Sequence, residues 1–80
     1  MDMNQPSEWL TNRIRQAIQE ENTTEKAISD ATDIAWATFY RRMRGAGSFD
    51  WGELMRIATA LNRPPAYFTP PQFQHAKEAA

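Results

Sequence analysis

Apolar residues in this chain recur three and four positions apart, in short segments that are each cut off by turn-forming residues. Leu10, Ile14, Ala17 and Ile18 form the first such stripe, with Arg13, Arg15, Gln16 and Gln19 lying off it. The polar run Glu20-Glu21-Asn22-Thr23-Thr24 interrupts it, and Ala27, Ile28 and Ala31 begin a second. Spacing of this kind predicts amphipathic α-helices. Helices this short are marginal in water on their own, so each must bury its apolar face against the others. The fold class that follows is all-α, a compact bundle of about five short helices.

The boundaries are written in the same terms. A first helix is expected from about Ser7, and a second behind a cap supplied by Thr24 or Asn22. Thr32-Asp33 interrupts the second helix, and Asp is one of the few residues besides glycine that accepts a left-handed backbone. A third helix is expected from Ile34 to Arg44, with Phe39 and Met43 packed inward at i and i+4 and Gly45-Ala46-Gly47 as its stop. The fourth has the clearest start: Asp50 as N-cap, Glu53 three residues on as its capping-box partner, and Phe49 against Leu54 as a hydrophobic staple. Its inward stripe reads Trp51, Leu54, Ile57, Ala58 and Leu61, and Asn62 with Arg63-Pro64-Pro65 ends it. Pro65 opens a further turn through Ala66, Tyr67 and Phe68, and Thr69-Pro70-Pro71-Gln72 starts either a short terminal helix or a frayed tail. The organisation expected is a leader over 1–6, one domain over 7–68 and a tail over 69–80.

Composition narrows the function. Eighty residues leave room for one small core. With no cysteine there are no disulfides, thiolate metal sites or thiol nucleophiles, which fits a reducing compartment, and no signal peptide or apolar span is visible. A cytoplasmic location is expected. His75 is the single histidine, and the Asp50/Glu53 carboxylates are accounted for by their cap. With no nucleophile, phosphate loop or metal cluster in view, the expectation is a protein that is not an enzyme and takes no cofactor, metal or small-molecule substrate. The net charge of −1 argues against a nucleic-acid binder until its distribution is considered. From Ile34 to Phe49 the only charged residues are Arg41, Arg42 and Arg44, so this stretch carries +3 and the remainder −4.

A helix of about eight residues, a tight turn and a helix of about ten, inside a bundle, is the arrangement that lets the second helix enter the DNA major groove. At about 100° per residue, Ala37, Tyr40, Arg41 and Arg44 share the face opposite Phe39 and Met43, with Trp36 at its border. Arginine is shaped to read a guanine edge, which makes Arg41 the base-reading candidate. Tyr40 and Trp36 suit thymine methyls or sugar, and Arg42 and Arg44 suit phosphate. The first amides of the second helix, near Thr24 and Lys26, offer one more phosphate seat.

The stretch from Ala27-Ile28-Ser29-Asp30-Ala31-Thr32-Asp33-Ile34 through Trp36-Ala37-Thr38-Phe39-Tyr40-Arg41-Arg42-Met43-Arg44-Gly45, then Phe49-Asp50-Trp51-Gly52-Glu53-Leu54 and Ile57-Ala58-Thr59-Ala60-Leu61-Asn62, resembles the Xre/Cro-type helix-turn-helix of phage repressors and bacterial regulators. It is most similar to actinobacterial and actinophage members. The resemblance implies a lambda-repressor-like fold. By position it implies Ser29 as the small residue where two helices cross, Asp33 in the place of a turn glycine, and Ile34 and Phe39 as buried anchors. Glu25 stands where such domains often have a Gln that touches phosphate, an acid that should weaken DNA contact; Asp33 and Asn62 replace glycines of that pattern, and Ala35 lacks its capping hydroxyl. The function implied is a phage repressor or Cro-like transcription regulator in the cytoplasm of a bacterial host. It would bind double-stranded operator DNA as a homodimer, without membrane contact. Tyr67, Phe68 and Phe73 are the expected dimer surface. The alternative reading is a protein-interaction module on the same fold, such as an antitoxin or antirepressor.

Overall fold

The structure is a computed structural model, and it describes residues 5–69. It contains four α-helices: α1 (Gln5–Glu20), α2 (Glu25–Thr32), α3 (Trp36–Met43) and α4 (Trp51–Ala60), followed by one 3-10 turn, Pro65–Phe68. Among the described residues there is no strand. The expected count of about five helices is thus corrected to four. The turn begun at Pro65 closes only one 3-10 turn of four residues. Residues 70–80, with Phe73 and His75, lie outside the described residues.

All four helices stop by one device. A residue with positive φ follows each of them, Asn22 (55°), Asp33 (61°), Gly45 (95°) and Asn62 (58°). The next amide then reaches back five residues: Thr23 to the Ile18 carbonyl (3.0 Å), Ile34 to Ser29 (3.1 Å), Ala46 to Arg41 (2.9 Å) and Arg63 to Ala58 (2.9 Å). This left-handed C-terminal motif satisfies carbonyls that a helix end otherwise leaves unbonded. Asp and Asn serve in three of the four places because their short polar side chains tolerate that backbone better than most. The starts follow the sequence as well. Thr24 accepts the Ala27 amide at 3.1 Å. Asp50 accepts the Glu53 amide at 2.8 Å while the Glu53 carboxylate takes the Asp50 amide at 3.0 Å, which completes the capping box.

The helix limits shift slightly. Helix α1 begins at Gln5 rather than near Ser7, and α3 covers Trp36–Met43 rather than Ile34 to Arg44. Ile34 is drawn into closing α2, and Ala35, in an extended conformation (ψ 137°), is the cap of α3 without a side-chain bond. The core is formed by Ile14, Ala17 and Ile18 of α1, Ile28, Ile34, Phe39, Met43, Phe49, the α4 stripe Leu54, Ile57, Ala58 with Leu61, and Phe68. Leu10 packs against it half-buried. Helix α2 lies on α3 and α4, and the 3-10 turn closes over α4 and α1.

Three expectations are corrected here. The buried face of α2 is Ile28, Ser29 and Thr32, whereas Ala27 and Ala31 are exposed. Alanine suits either environment, so its spacing did not decide the face. Thr32 tolerates burial because its hydroxyl donates to the Ile28 carbonyl at 2.7 Å. Trp51 is 58% exposed rather than inward. Side chains tilt toward the N-terminus of their helix, so a ring on the first residue of α4 projects past the edge of the core. Phe68 is only 4% exposed and Tyr67 is half-buried against the core, so these rings seal the end of the bundle, and Phe68 offers no free dimer surface.

Candidate nucleic-acid interface

Helix α3 is held from one side. Phe39 is fully buried and its ring lies tilted against Phe49 with centroids 5.3 Å apart, and Met43 is buried one turn on. Period 3.6 then dictates that the opposite side faces solvent. Trp36, Ala37, Tyr40, Arg41 and Arg44 are all exposed, Trp36 and Tyr40 at 39% and 46%. Two exposed aromatics one helical turn apart form an edge-to-face pair, 5.6 Å between centroids.

The arginines of α3 have three different surroundings. Arg42 is half-buried, ion-paired to Glu53 of the α4 capping box and placed over the Phe49 ring at 5.8 Å. One carboxylate therefore starts α4 and ties α3 to it. Arg42 belongs to the α3–α4 seam and not to the exposed face. Arg44 donates to Glu25 at 3.0 Å and to the Tyr40 carbonyl at 3.1 Å, with its guanidinium 3.8 Å from the Tyr40 ring centroid. Arg41 touches only its own helix, through a 3.3 Å bond from Nε to the Ala37 carbonyl.

The contrast with the other arginines gives Arg41 its meaning. Arg15 donates to the Met43 carbonyl at the end of α3 (2.7 Å), Arg56 to Thr32 at the end of α2 (2.9 Å), and Arg63 to Leu61 at the end of α4 (2.9 Å). Arg13 donates to Tyr67 in the 3-10 turn at 3.1 Å. Each of these cations sits where a helix end concentrates negative charge. Among the described residues, Arg41 is the arginine with no acid and no second element to hold. A guanidinium in that state keeps its planar donor fork available to an incoming partner.

The Glu25–Arg44 pair also brings the first turn of α2 beside the C-terminal end of α3. Thr24 and Lys26 are exposed there. The Thr24 hydroxyl is engaged in its cap and Lys26 pairs with Asp30 at 2.9 Å. A groove of about 630 Å³ runs beside this junction, between α1 and the end of α3, lined by Glu8, Thr11, Asn12, Arg15, Met43, Arg44 and Gly45. The sequence marks Glu25 as an acid in a phosphate-contact place, but not its pairing with Arg44. It lies nineteen residues from Arg44, and no local spacing announces a pair that only the α2–α3 crossing creates.

Away from this face, Arg63 holds Glu20 at 2.8 Å and Glu21 at 2.7 Å. The hydrogen bond from Arg63 keeps the Glu21 carboxyl below the ordinary carboxylate value, and the same bond pushes the Arg63 guanidinium further up. Among the described residues no group of three or more His, Asp or Glu is placed to hold a metal ion, and no helix is long and apolar enough to cross a membrane. No family model, curated protein or solved structure matches this chain.

Proposed function

We propose that this protein is a sequence-specific DNA-binding transcription regulator, of the phage repressor or Cro-like kind, in which α2 and α3 act as a helix-turn-helix. The observation that carries the reading is Arg41, the arginine that engages no acid and no second element among the described residues, on an exposed helix face with Ala37, Tyr40 and Trp36, backed by a fully buried Phe39. In this reading α3 lies in the major groove. Arg41 donates two bonds to the O6 and N7 of a guanine, and small Ala37 lets the helix approach closely. Trp36 and Tyr40 rest on thymine methyls and sugar. Arg44, Lys26 and the α2 amides near Thr24 sit along the phosphates and set the register. Arg42 supports the helix from behind. The mechanism is occupancy of an operator, with no enzymatic step and no cofactor. A module this small needs a second copy on a half-site about 34 Å away to bind tightly.

The test is retardation of duplex DNA selected from a random pool, repeated over a range of salt. Binding that weakens steeply with salt, and an Arg41→Ala loss of about 1–3 kcal/mol confined to the selected site, is the expected outcome. A chain that retards no duplex at low salt sinks the reading. That result would favour a protein-interaction module such as an antitoxin or antirepressor, for which the 58% exposed Trp51 supplies a contact.

A further inference from the structure

Two of the three arginines on α3 and its C-cap are already neutralised by the chain itself, Arg42 by Glu53 and Arg44 by Glu25. The two pairs differ in kind. Arg42–Glu53 is shielded on both sides, with side chains 28% and 17% exposed, and its carboxylate is also committed to the α4 cap. Arg44 is 43% exposed and Glu25 20%, and among the described residues the Glu25 carboxylate makes no other side-chain bond. The Tyr40 ring and carbonyl fix the Arg44 guanidinium on the solvent side of α3, so its position does not depend on the acid alone. With its arginine open to solvent the pair is worth little to folding, since solvent and salt screen it. Its effect on a charged partner is larger, because a phosphate approaching Arg44 meets a carboxylate already bound there.

We propose that Glu25 is an intramolecular competitor for phosphate, an acid that holds Arg44 in the free protein and must be displaced when duplex DNA docks. The proposal rests on the DNA-binding reading and deepens it, by assigning Glu25 the role of setting affinity. In the exchange Arg44 leaves a carboxylate oxygen and takes a phosphate oxygen. The charge count on the protein is unchanged, and Glu25 is left facing the DNA backbone. Release of a DNA counterion is then offset by the cation that the freed carboxylate takes up. The wild-type protein therefore gains little affinity from Arg44, and its salt slope is lower by about one phosphate contact than its exposed cations alone would give.

The experiment is a double-mutant cycle on the full chain, with wild type, Glu25→Gln, Arg44→Gln and the double variant binding a mixed-sequence duplex across a salt series. Glutamine keeps the size of Glu25 and removes its charge. Glu25→Gln is expected to bind about tenfold more tightly at low salt, with a log–log salt slope steeper by about 0.9, the value for one additional phosphate contact. In the Arg44→Gln background the same change is expected to give no more than a small part of that gain. Equal helical circular dichroism and melting temperature across the four proteins show that folding is not the variable. If wild type binds and Glu25→Gln matches it in affinity and slope, the competitor role is overturned and the DNA-binding reading survives. If the gain is the same with and without Arg44, general repulsion replaces competition and the proposal is also overturned. If neither wild type nor Glu25→Gln retards any duplex, both readings fall together.

Discussion

Two clusters of arginine and aromatic side chains stand apart in this molecule, and they are built from the same residue types. In the corner where α1 meets the 3-10 turn, Arg13 lies 3.6 Å from the Tyr67 ring centroid and 5.3 Å from that of Trp9. Its neighbour Arg63 holds Glu20 and Glu21, and the Tyr67 hydroxyl donates to the Arg13 carbonyl at 3.3 Å. On α3, Arg44 stacks on Tyr40 in the same way, but Trp36 and Tyr40 remain exposed and Arg41 has no partner beyond its own helix. The corner is a latch in which both cations are occupied by other elements. The α3 face leaves donors and rings over. What separates a structural cluster from a candidate contact surface is therefore not composition but how much of its bonding capacity the fold has already used.

The comparison can be broken most severely from beneath. Phe39→Ala empties the space that presses α3 outward and is expected to cost about 3–5 kcal/mol, enough to unfold a domain of this size. Chemical denaturation followed by circular dichroism measures it. A loss below about 1 kcal/mol would mean that α3 is not held by that ring. Next, Arg41→Ala and Arg13→Ala should behave as opposites. The first lowers DNA affinity by about 1–3 kcal/mol with an unchanged melting temperature. The second lowers the melting temperature and leaves the selectivity among DNA sites unchanged. Coincident effects in both assays would erase the distinction.

Smaller changes sharpen it. The Ser29 hydroxyl is buried with no hydrogen-bond partner, so Ser29→Ala is expected to leave stability unchanged or raise it by up to about 1 kcal/mol. A clear loss would reveal a bond to that oxygen. The smallest effect concerns acid. The Glu21 carboxyl lies below its ordinary value of 4.5 because Arg63 donates to it, so the unfolded chain binds more protons than the folded one as pH falls past that point. The latch contribution is present above the ordinary value and is lost as pH drops through the lowered one. Melting temperatures between about pH 6 and pH 3 should decline less in Arg63→Ala than in wild type.

Much of the fold was legible because helix ends are written in few residues. Asp50, Glu53 and Thr24 were readable as caps, since each acts within three residues of itself. Asp33 and Asn62 were readable as left-handed stops for the same reason. The inward set on α3 followed from period alone. On α2 period failed, because Ala27 and Ala31 carry too little apolar surface to outweigh a Thr32 that satisfies itself. Of the candidate site, the exposed residues Trp36, Ala37, Tyr40, Arg41 and Arg44 were legible from the helix, whereas the fate of each charge was not. Arg42 and Arg44 differ only in whether Glu53 or Glu25 waits across a helix crossing.

Local chemistry thus determined where α2 and α4 start, where all four helices stop and which side of α3 is apolar. Those outcomes depend on hydrogen bonds and side-chain spacing that span a turn or two. Only the tertiary structure decided that, among the described residues, Arg41 engages nothing beyond its own helix while six other arginines are engaged by acids, by helix ends or by aromatic rings. Coulomb and hydrogen-bond partners are chosen by distance in space, and the packing of four helices brings together residues that lie eleven to fifty-four positions apart in the chain.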